Sequence, residues 1–168
     1  MDQRQLSQPE NAHEIRTGNQ LEHMKSKAFN HGIDANPYNP HAWILGSPII
    51  GEDVWIGPFT LIDARYAKVT IGRGCDISTG AHIISHSTVK RCISERKYNT
   101  IDACDTVIEK YCFIGSNAVI LMGSRIGHHS LIAAGCVVKE HTVIPPYSLV
   151  AGVPGKIISS SKKFTGKT

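Results

Sequence analysis

The chain has 168 residues, of which 41% are hydrophobic and 19% charged, and it contains 15 glycines. This length suits a single domain, and the composition excludes a disordered or fibrous protein. The formal charge of +4 comes from lysines and arginines that are mostly scattered, which favours a soluble protein, or one with an anionic ligand, over a nucleic-acid partner.

The sequence contains no segment that predicts membrane insertion or secretion. No apolar run reaches the roughly eighteen residues needed to cross a bilayer, and the N-terminal MDQRQLSQPENAHE lacks the basic start and apolar stretch of a secretion signal. The five cysteines form no CxxC pair, so we expect free thiols in a reducing compartment. These features favour a cytoplasmic protein without stable membrane insertion.

Residues 1–43 are polar and lack the periodicity of the segment that follows. Within them NQLEHMKSKAFN, residues 19–30, predicts a short helix capped by Asn19. Its apolar contacts would be Leu21, Met24 and Phe29. The stretch NPYNPHAW, with two prolines, predicts a loop that leads into the periodic segment.

A six-residue repeat dominates the rest of the chain. Isoleucine or valine opens all fourteen blocks, and the fifth place is small or β-branched in twelve of them. A period of six fits no amphipathic helix, but it fits a short strand followed by a tight corner, with the aliphatic side chain inward. The blocks are IGEDVW, IGPFTL, IDARYA, IGRGCD, ISTGAH, IISHST, IEKYCF, IGSNAV, ILMGSR, IGHHSL, IAAGCV, VKEHTV, IPPYSL and VAGVPG.

Three such blocks close one triangular coil of eighteen residues, and stacked coils about 4.8 Å apart form an all-β parallel β-helix. We expect this domain over residues 44–158, with about five coils. The four full coils would cover residues 50–67, 71–88, 108–125 and 126–143, and a partial fifth coil would start at residue 144. Ile44, six residues before Ile50, would be an inward residue before coil one. A short insertion precedes Ile71, and a longer interruption at 89–107 is inserted between coils, where it does not disturb the column. Residues 159–168 are expected to be a mobile tail.

Three cysteines occupy the small inward fifth place of their blocks. Cys75 and Cys112 fall on the first wall of consecutive coils, and Cys136 falls on the second wall. This placement predicts that they are packing residues.

The chain resembles the left-handed β-helix acyltransferases in three features taken together. These are the repeat, a long loop that begins at a histidine, and the closing segment IPPYSLVAGVPGKII. Within that family they resemble the galactoside, maltose, xenobiotic and surface-polysaccharide O-acetyltransferases. The resemblance implies left-handedness, a homotrimer with active sites between subunits, and acetyl-CoA as cosubstrate without a metal. It also implies transfer of an acetyl group to a hydroxyl, or to an amine, of a sugar or sugar-like acceptor.

His86 matches the histidine from which the loop of these enzymes begins, and it would act as the general base. A neutral imidazole is well suited to accept a proton near neutral pH. We expect His86 at an outward place on the third wall of coil two. The resemblance points to the backbone N–H of Ser116 as a donor to the oxyanion and to Ala134 as a contact of the pantetheine arm. For both, a small residue required at a tight corner is an equally good explanation.

Lys139 and Lys156 match the family positions that approach the phosphates of coenzyme A. The acceptor would lie against the loop, where polar residues are available to bind a sugar. We expect these acceptor contacts at Arg91, Glu95 and Tyr98, and at Asp63 one coil below His86. Glu95 is also a candidate for orienting the imidazole of His86.

Two other functions remain open at this point. Hexapeptide columns also serve as non-catalytic scaffolds, and a zinc-dependent γ-class carbonic anhydrase has the same fold. The anhydrase is a poorer match because zinc needs three converging imidazoles. Apart from His86, the column contains four histidines, and we expect them to face solvent at corners. They are His82, His128, His129 and His141.

Overall fold

The computed structural model describes residues 36–166, so the helix predicted for residues 19–30 lies outside the described part of the chain. Short strands joined by tight corners make up most of residues 36–166. The elements, in chain order, are β1 (Trp43–Gly46), β2 (Ile49–Ile50), β3 (Trp55–Ile56), β4 (Leu61–Ala64), β5 (Val69–Ile71), β6 (Asp76–Ile77), β7 (His82–Ile84), β8 (His86–Ser87), α1 (Val89–Ile93), β9 (Asp102–Ala103), β10 (Thr106–Ile108), β11 (Phe113–Ile114), β12 (Val119–Ile120), β13 (Arg125–Ile126), β14 (Leu131–Ile132), β15 (Val137–Val138), β16 (Val143–Ile144), β17 (Ser148–Ala151), β18 (Lys156–Ser160) and a 3-10 helix (Ser161–Phe164).

Three parallel sheets form the walls of the column. The first wall has the order β2-β5-β10-β13-β16, the second β3-β6-β11-β14-β17, and the third β1-β4-β7-β12-β15. Successive strands of the chain fall on successive walls, as three blocks per coil require. The left-handed parallel β-helix expected from the sequence is confirmed, and it begins with β1, one block before coil one.

The first residue of each block lies in the core. Ile56 pairs in register with Ile77, and Ile77 with Ile114, so like residues stack from coil to coil. Ile77 and Ile114 are both fully buried. The stacked side chains form one buried aliphatic core, and this burial is the main stabilising term of the fold.

The inward cysteines are free and buried, as expected of packing residues. Cys75 donates to the carbonyl of Glu109 at 3.1 Å, and the N–H of Cys112 donates to the sulfur of Cys75 at 3.3 Å. The contact with Cys75 and burial both raise the pKa of the Cys112 thiol. Both thiols therefore behave as small core residues that also satisfy backbone groups.

Residues 86–105, which we call the excursion, leave the column after β7 and return at β10. β8 pairs antiparallel with β9, and α1 lies between them. Because β7 belongs to the third wall and β10 to the first, the excursion occupies a corner of the prism. The repeat placed the start of this segment at residue 89, but the structure starts it three residues earlier, at His86. At the other end, Thr106 and Val107 belong to β10 and not to the excursion.

The tail differs from the mobile segment that we expected from residue 159. β18 continues to Ser160 and pairs antiparallel with β17, and the 3-10 helix follows. Ser161 is buried, and its hydroxyl donates to the carbonyl of His129. The reason is that β17 ends the parallel part of the second wall, so its outer edge is open for pairing by the tail. Within residues 36–166, no helix is both long and apolar enough to span a bilayer.

Candidate functional site

His86 lies just beyond the third wall. It begins β8, whose partner is β9, and so it is not on the wall strand where we expected it. The chain turns outward at Ser85, which is buried and donates to the carbonyl of Asp63 at 2.7 Å. This turn carries the imidazole from the end of the third wall to the root of the excursion.

One side of the His86 ring is closed by the coil below. Nδ1 is buried without a hydrogen-bond partner and lies 3.8 Å from Oδ2 of Asp63. The Tyr66 ring packs on the imidazole, with the ring centroids 4.6 Å apart. The His86 side chain keeps 19% of its surface exposed, so solvent or a ligand reaches the ring at atoms other than Nδ1.

Asp63 is a buried carboxylate held by Arg65. The guanidinium of Arg65 donates to both carboxylate oxygens, at 3.0 and 2.6 Å, and the backbone N–H of Arg65 donates to one of them at 3.2 Å. Burial acts to raise the pKa of the Asp63 carboxyl, but the hydrogen bonds and charge of Arg65, together with His86, bring that pKa below its ordinary value. Asp63 therefore carries a negative charge against the closed side of the imidazole.

Of the four acceptor contacts proposed from the sequence, Asp63 lies beside His86. Glu95 and Tyr98 are exposed, while Arg91 is half-buried with an Nε that has no hydrogen-bond partner. The carboxylate beside His86 is that of Asp63 and not that of Glu95. Asp63 in turn is almost fully buried and hydrogen-bonded to Arg65. Contrary to our expectation, it is therefore not available to an acceptor.

A cavity of about 440 Å³ opens between the excursion and the column. Its lining combines apolar side chains with an ion pair, Lys90 to Asp102 at 3.6 Å. His86 does not line it, but the adjacent Ser87 does. The residues that line it are Ser87, Val89, Lys90, Ile93, Ser94, Asp102, Met122 and Glu140.

A second cavity, of about 420 Å³, adjoins the first and reaches His141. Both cavities include Met122 and Glu140, which the sequence reasoning did not select. The sequence did contain a signal for them. The two residues are eighteen residues apart, which is one full coil, so the repeat places them at the same corner in successive coils. The repeat gives no sign that the excursion folds back over that corner.

The residues proposed to bind the cosubstrate lie on two margins of the third wall. Ser116 and Ala134 are exposed at the corner where the chain enters this wall, and the N–H of Gly135 donates to the carbonyl of Ser116 at 2.8 Å. Lys139 is exposed at the opposite margin, after β15, and Lys156 opens β18 opposite Ala151. Ser116 occupies the place that Thr79 has one coil earlier, at the start of the third wall, whereas His86 follows the end of that wall, so the width of the wall separates the two in one chain.

The other histidines differ partly from expectation. His82 lies on β7, paired with Leu61 and Val119, and not at a corner. His128 and His129 are at a corner but half-buried, with their Nδ1 atoms 2.9 Å apart and their rings packed on Tyr147. His141 is exposed at its corner, as expected. In the described part of the chain, no three His, Cys, Asp or Glu side chains form a group that could hold a metal ion.

Comparison with known proteins supports the fold and indicates its relatives. Residues 105–140 match the bacterial transferase hexapeptide family (six repeats). A hexapeptide-repeat containing acetyltransferase from Vibrio cholerae O1 biovar eltor, solved in complex with acetyl coenzyme A, is 32% identical, with a TM-score of 0.59 over 71% of this chain and 63% of its own. The polySia specific acetyltransferase NeuO is 27% identical, with a TM-score of 0.56 over 68% and 52% of the two chains.

Two curated relatives match different lengths of the chain. The carnitine operon protein CaiE of Escherichia coli O7:K1 is 26% identical over 124 residues, which are 71% of this chain and 62% of the relative. A 2,3,4,5-tetrahydropyridine-2,6-dicarboxylate N-acetyltransferase of Enterococcus faecalis is 46% identical over 66 residues, which are 39% of this chain and 26% of the relative. The chain thus spans about three fifths of the length of the first of these relatives and about a quarter of the second.

Proposed function

We propose that the chain is a hexapeptide-repeat transferase with a left-handed β-helix, and that it moves an acetyl group from acetyl-CoA to a hydroxyl, or an amine, of a sugar or sugar-like acceptor. Related proteins support the reaction class: one binds acetyl coenzyme A, one is specific for polySia, and one is an N-acetyltransferase. A role in polysaccharide biosynthesis and a cytoplasmic location are part of the same proposal.

The observation that carries the proposal is the His86 imidazole, which is closed on its Nδ1 side and partly exposed at its other atoms. In the proposed step, Nε2 accepts the acceptor proton as the acceptor oxygen or nitrogen bonds to the thioester carbonyl carbon. The C–S bond then breaks, and coenzyme A leaves as a thiol after taking this proton from the imidazolium. The N–H of Ser116 would donate to the oxyanion that forms between these two events.

A trimer would explain why the proposed residues lie on opposite margins of the third wall. The outward columns of the second and third walls include large apolar side chains. Trp55 and Phe113 are about half-exposed on either side of Asp76 on the second wall, and Trp43 and Val119 lie on the third. Exposed apolar columns of this kind are typical of surfaces that pack against another chain. We propose that copies of the chain meet there, so that Ser116 and Ala134 of one copy face His86 of the next.

We propose that the acceptor enters between the excursion and the column. The cavity supplies apolar contacts from Ile93 and Met122 and carboxylates from Asp102 and Glu140, which suits a ring with hydroxyl groups and an apolar face. Arg91, Glu95 and Tyr98 would bind the more distant parts of a larger acceptor. Ala134 would contact the pantetheine arm, and Lys139 and Lys156 would bind the phosphates of coenzyme A.

The test of this function is the His86→Ala variant. Removal of the base should lower kcat by about 10²–10⁴ while the affinity for coenzyme A, measured by thermal shift, stays the same. A thiol-release assay with a panel of amino and neutral sugars measures the rate. His41→Ala is the control, because His41 is exposed just before β1 and should retain activity. If His86→Ala keeps most of the activity, His86 is not the base, and if wild type neither transfers acetyl groups nor binds coenzyme A, the proposed function is wrong.

A further inference from the structure

One corner of the column is longer than the repeat requires. Ile62 and Ile71 are nine residues apart, whereas Ile56 and Ile62, or Ile71 and Ile77, are six apart. The three extra residues belong to the corner between β4 and β5, residues 65–68, which we call the enlarged corner. A column needs no such addition, and this corner lies directly below His86.

We propose that the end of β4 and the enlarged corner together are a positioning device for His86, in which Asp63 fixes the imidazole tautomer, Arg65 holds Asp63, and Tyr66 limits rotation of the ring. This inference rests on the proposed function, because it concerns the base of that reaction. It assigns no contact with substrate to these three residues. Their effect on catalysis passes through His86 alone.

The position of Asp63 favours one tautomer. Nδ1 of His86 is buried, and Oδ2 of Asp63 is the charged atom beside it, at 3.8 Å. A bare Nδ1 would direct its lone pair at a buried carboxylate, whereas Nδ1–H is attracted to that carboxylate. The proton therefore stays on Nδ1, and Nε2 is left as the base. The separation exceeds a hydrogen bond, and catalytic contacts of this kind often shorten when substrates bind.

Arg65 fixes the carboxylate from the opposite side. Its guanidinium bonds to both oxygens and its backbone N–H to one, so three hydrogen bonds set the orientation of a carboxylate that is 3% exposed. A buried carboxylate without a cation would be costly, and it would not stay ionised. Arg65 itself is half-exposed, so its role is to hold Asp63 and not to fill the core.

Tyr66 covers one face of the imidazole. The two rings are tilted by 45° with their centroids 4.6 Å apart, and the guanidinium of Arg65 lies 5.7 Å from the centroid of Tyr66. A ring packed in this way leaves few rotamers open to His86. Arg65 and Tyr66 belong to the enlarged corner of coil one, and His86 follows the third wall of the next coil, so the corner acts on the coil above it.

The experiment compares Asp63→Asn and Arg65→Gln with wild type by kinetics and by nitrogen NMR of ¹⁵N-histidine-labelled protein, with the His86 signal identified by its absence in His86→Ala. We expect the Nδ1–H tautomer in wild type and a shift toward Nε2–H in Asp63→Asn. The value of kcat should fall on the order of 10²-fold, within the range for general acid–base catalysis, with KM for acetyl-CoA unchanged. Arg65→Gln should show both effects more weakly.

The matched control is Arg73→Gln. Arg73 is an exposed arginine that pairs with Asp53 at 3.5 Å on another corner, so its loss should alter neither kcat nor the His86 signal. The inference is overturned if Asp63→Asn keeps the wild-type tautomer, even with a reduced rate, because the residue is then only structural. If Asp63→Asn does not fold, Arg65→Gln decides in the same way. NMR reads the tautomer without turnover, so a failure of the proposed function is distinguishable from a failure of this inference.

Discussion

Asp63 illustrates how a single residue links the stability of the column to its chemistry. Its carboxylate is buried, which disfavours the charged form, but Arg65 supplies enough hydrogen bonding and charge to hold the pKa below its ordinary value. A carboxyl whose pKa is lower in the folded than in the unfolded chain stabilises the fold while it is ionised. The same charge is what faces Nδ1 of His86.

The Asp63–Arg65 pair should therefore make stability depend on pH. Above the unfolded pKa of about 3.9, wild type should be more stable than Asp63→Asn by a constant amount. This advantage should decrease as the pH falls below that value and vanish once the pH passes through the lower, folded pKa. Urea unfolding at pH 7, 5, 4 and 3 measures the difference. Asp53→Asn, which removes an exposed partner of Arg73, is the control and should change stability little. A difference that stays the same down to pH 3 would contradict the assignment.

At the scale of elements, the excursion behaves as an insertion into a corner. Thr106 is buried at the place that Ser124 occupies one coil later, and Val107 pairs with Arg125. The chain thus returns to the register that an uninterrupted coil would have. A regular corner from the third wall to the first, between Ile120 and Ile126, has five residues and contains Gly123 at φ +74°.

This register predicts which deletion the column tolerates. Removing residues 86–104 and replacing Asp105 with Gly leaves Ile83 and Ile108 six residues apart, with glycine at the place of Gly123. We expect this variant to keep the β-sheet circular dichroism and a cooperative thermal transition close to that of wild type.

The matched control removes one residue more, 86–105, so that Ile83 and Ile108 are five apart. A one-residue slip moves inward side chains to the outer face, so this variant should unfold at a much lower temperature or not fold. Equal stability of the two deletions would show that the excursion is not inserted in register.

For the whole molecule, the outward faces of the walls decide how copies of the column meet. The outward face of the first wall carries Ile49, Thr70, Val107, Arg125 and Val143. That of the second carries Trp55, Asp76, Phe113, Leu131 and Leu149, whose apolar side chains are larger. Trp55 is 50% exposed and Phe113 is 43% exposed. The second wall is thus a stronger candidate than the first for contact with another chain.

A charge on the second wall should prevent assembly. We expect wild type to sediment with about three times the mass of the 18.3 kDa chain and Phe113→Glu to sediment as a monomer. Burial of an unpaired carboxylate between apolar walls is the physical reason. Thr70→Glu, at an outward place on the first wall, is the control and should assemble as wild type does. Assembly of Phe113→Glu at the wild-type mass would exclude the second wall as the interface.

Most of the column could be predicted from the sequence, because the inward place of each block is a local property repeated many times. Isoleucine or valine at every sixth residue specifies the walls, the coils and the packing of Cys75 and Cys112 without any long-range information. His86 at the root of the loop was also readable, since it interrupts the repeat. Its placement on the wall itself was wrong, because pairing of β8 with β9 lies outside the periodic pattern.

The sequence by itself determined the three walls, the stacking of coils and the corner at which the excursion leaves the column. Only the tertiary structure decided which carboxylate faces His86, where the excursion folds back to form the cavity beside Met122 and Glu140, and that the tail pairs with β17. The physical reason is that these contacts are made by the non-repeating segments, and the direction of such a segment is set by the surfaces that it meets and not by the spacing of its own residues.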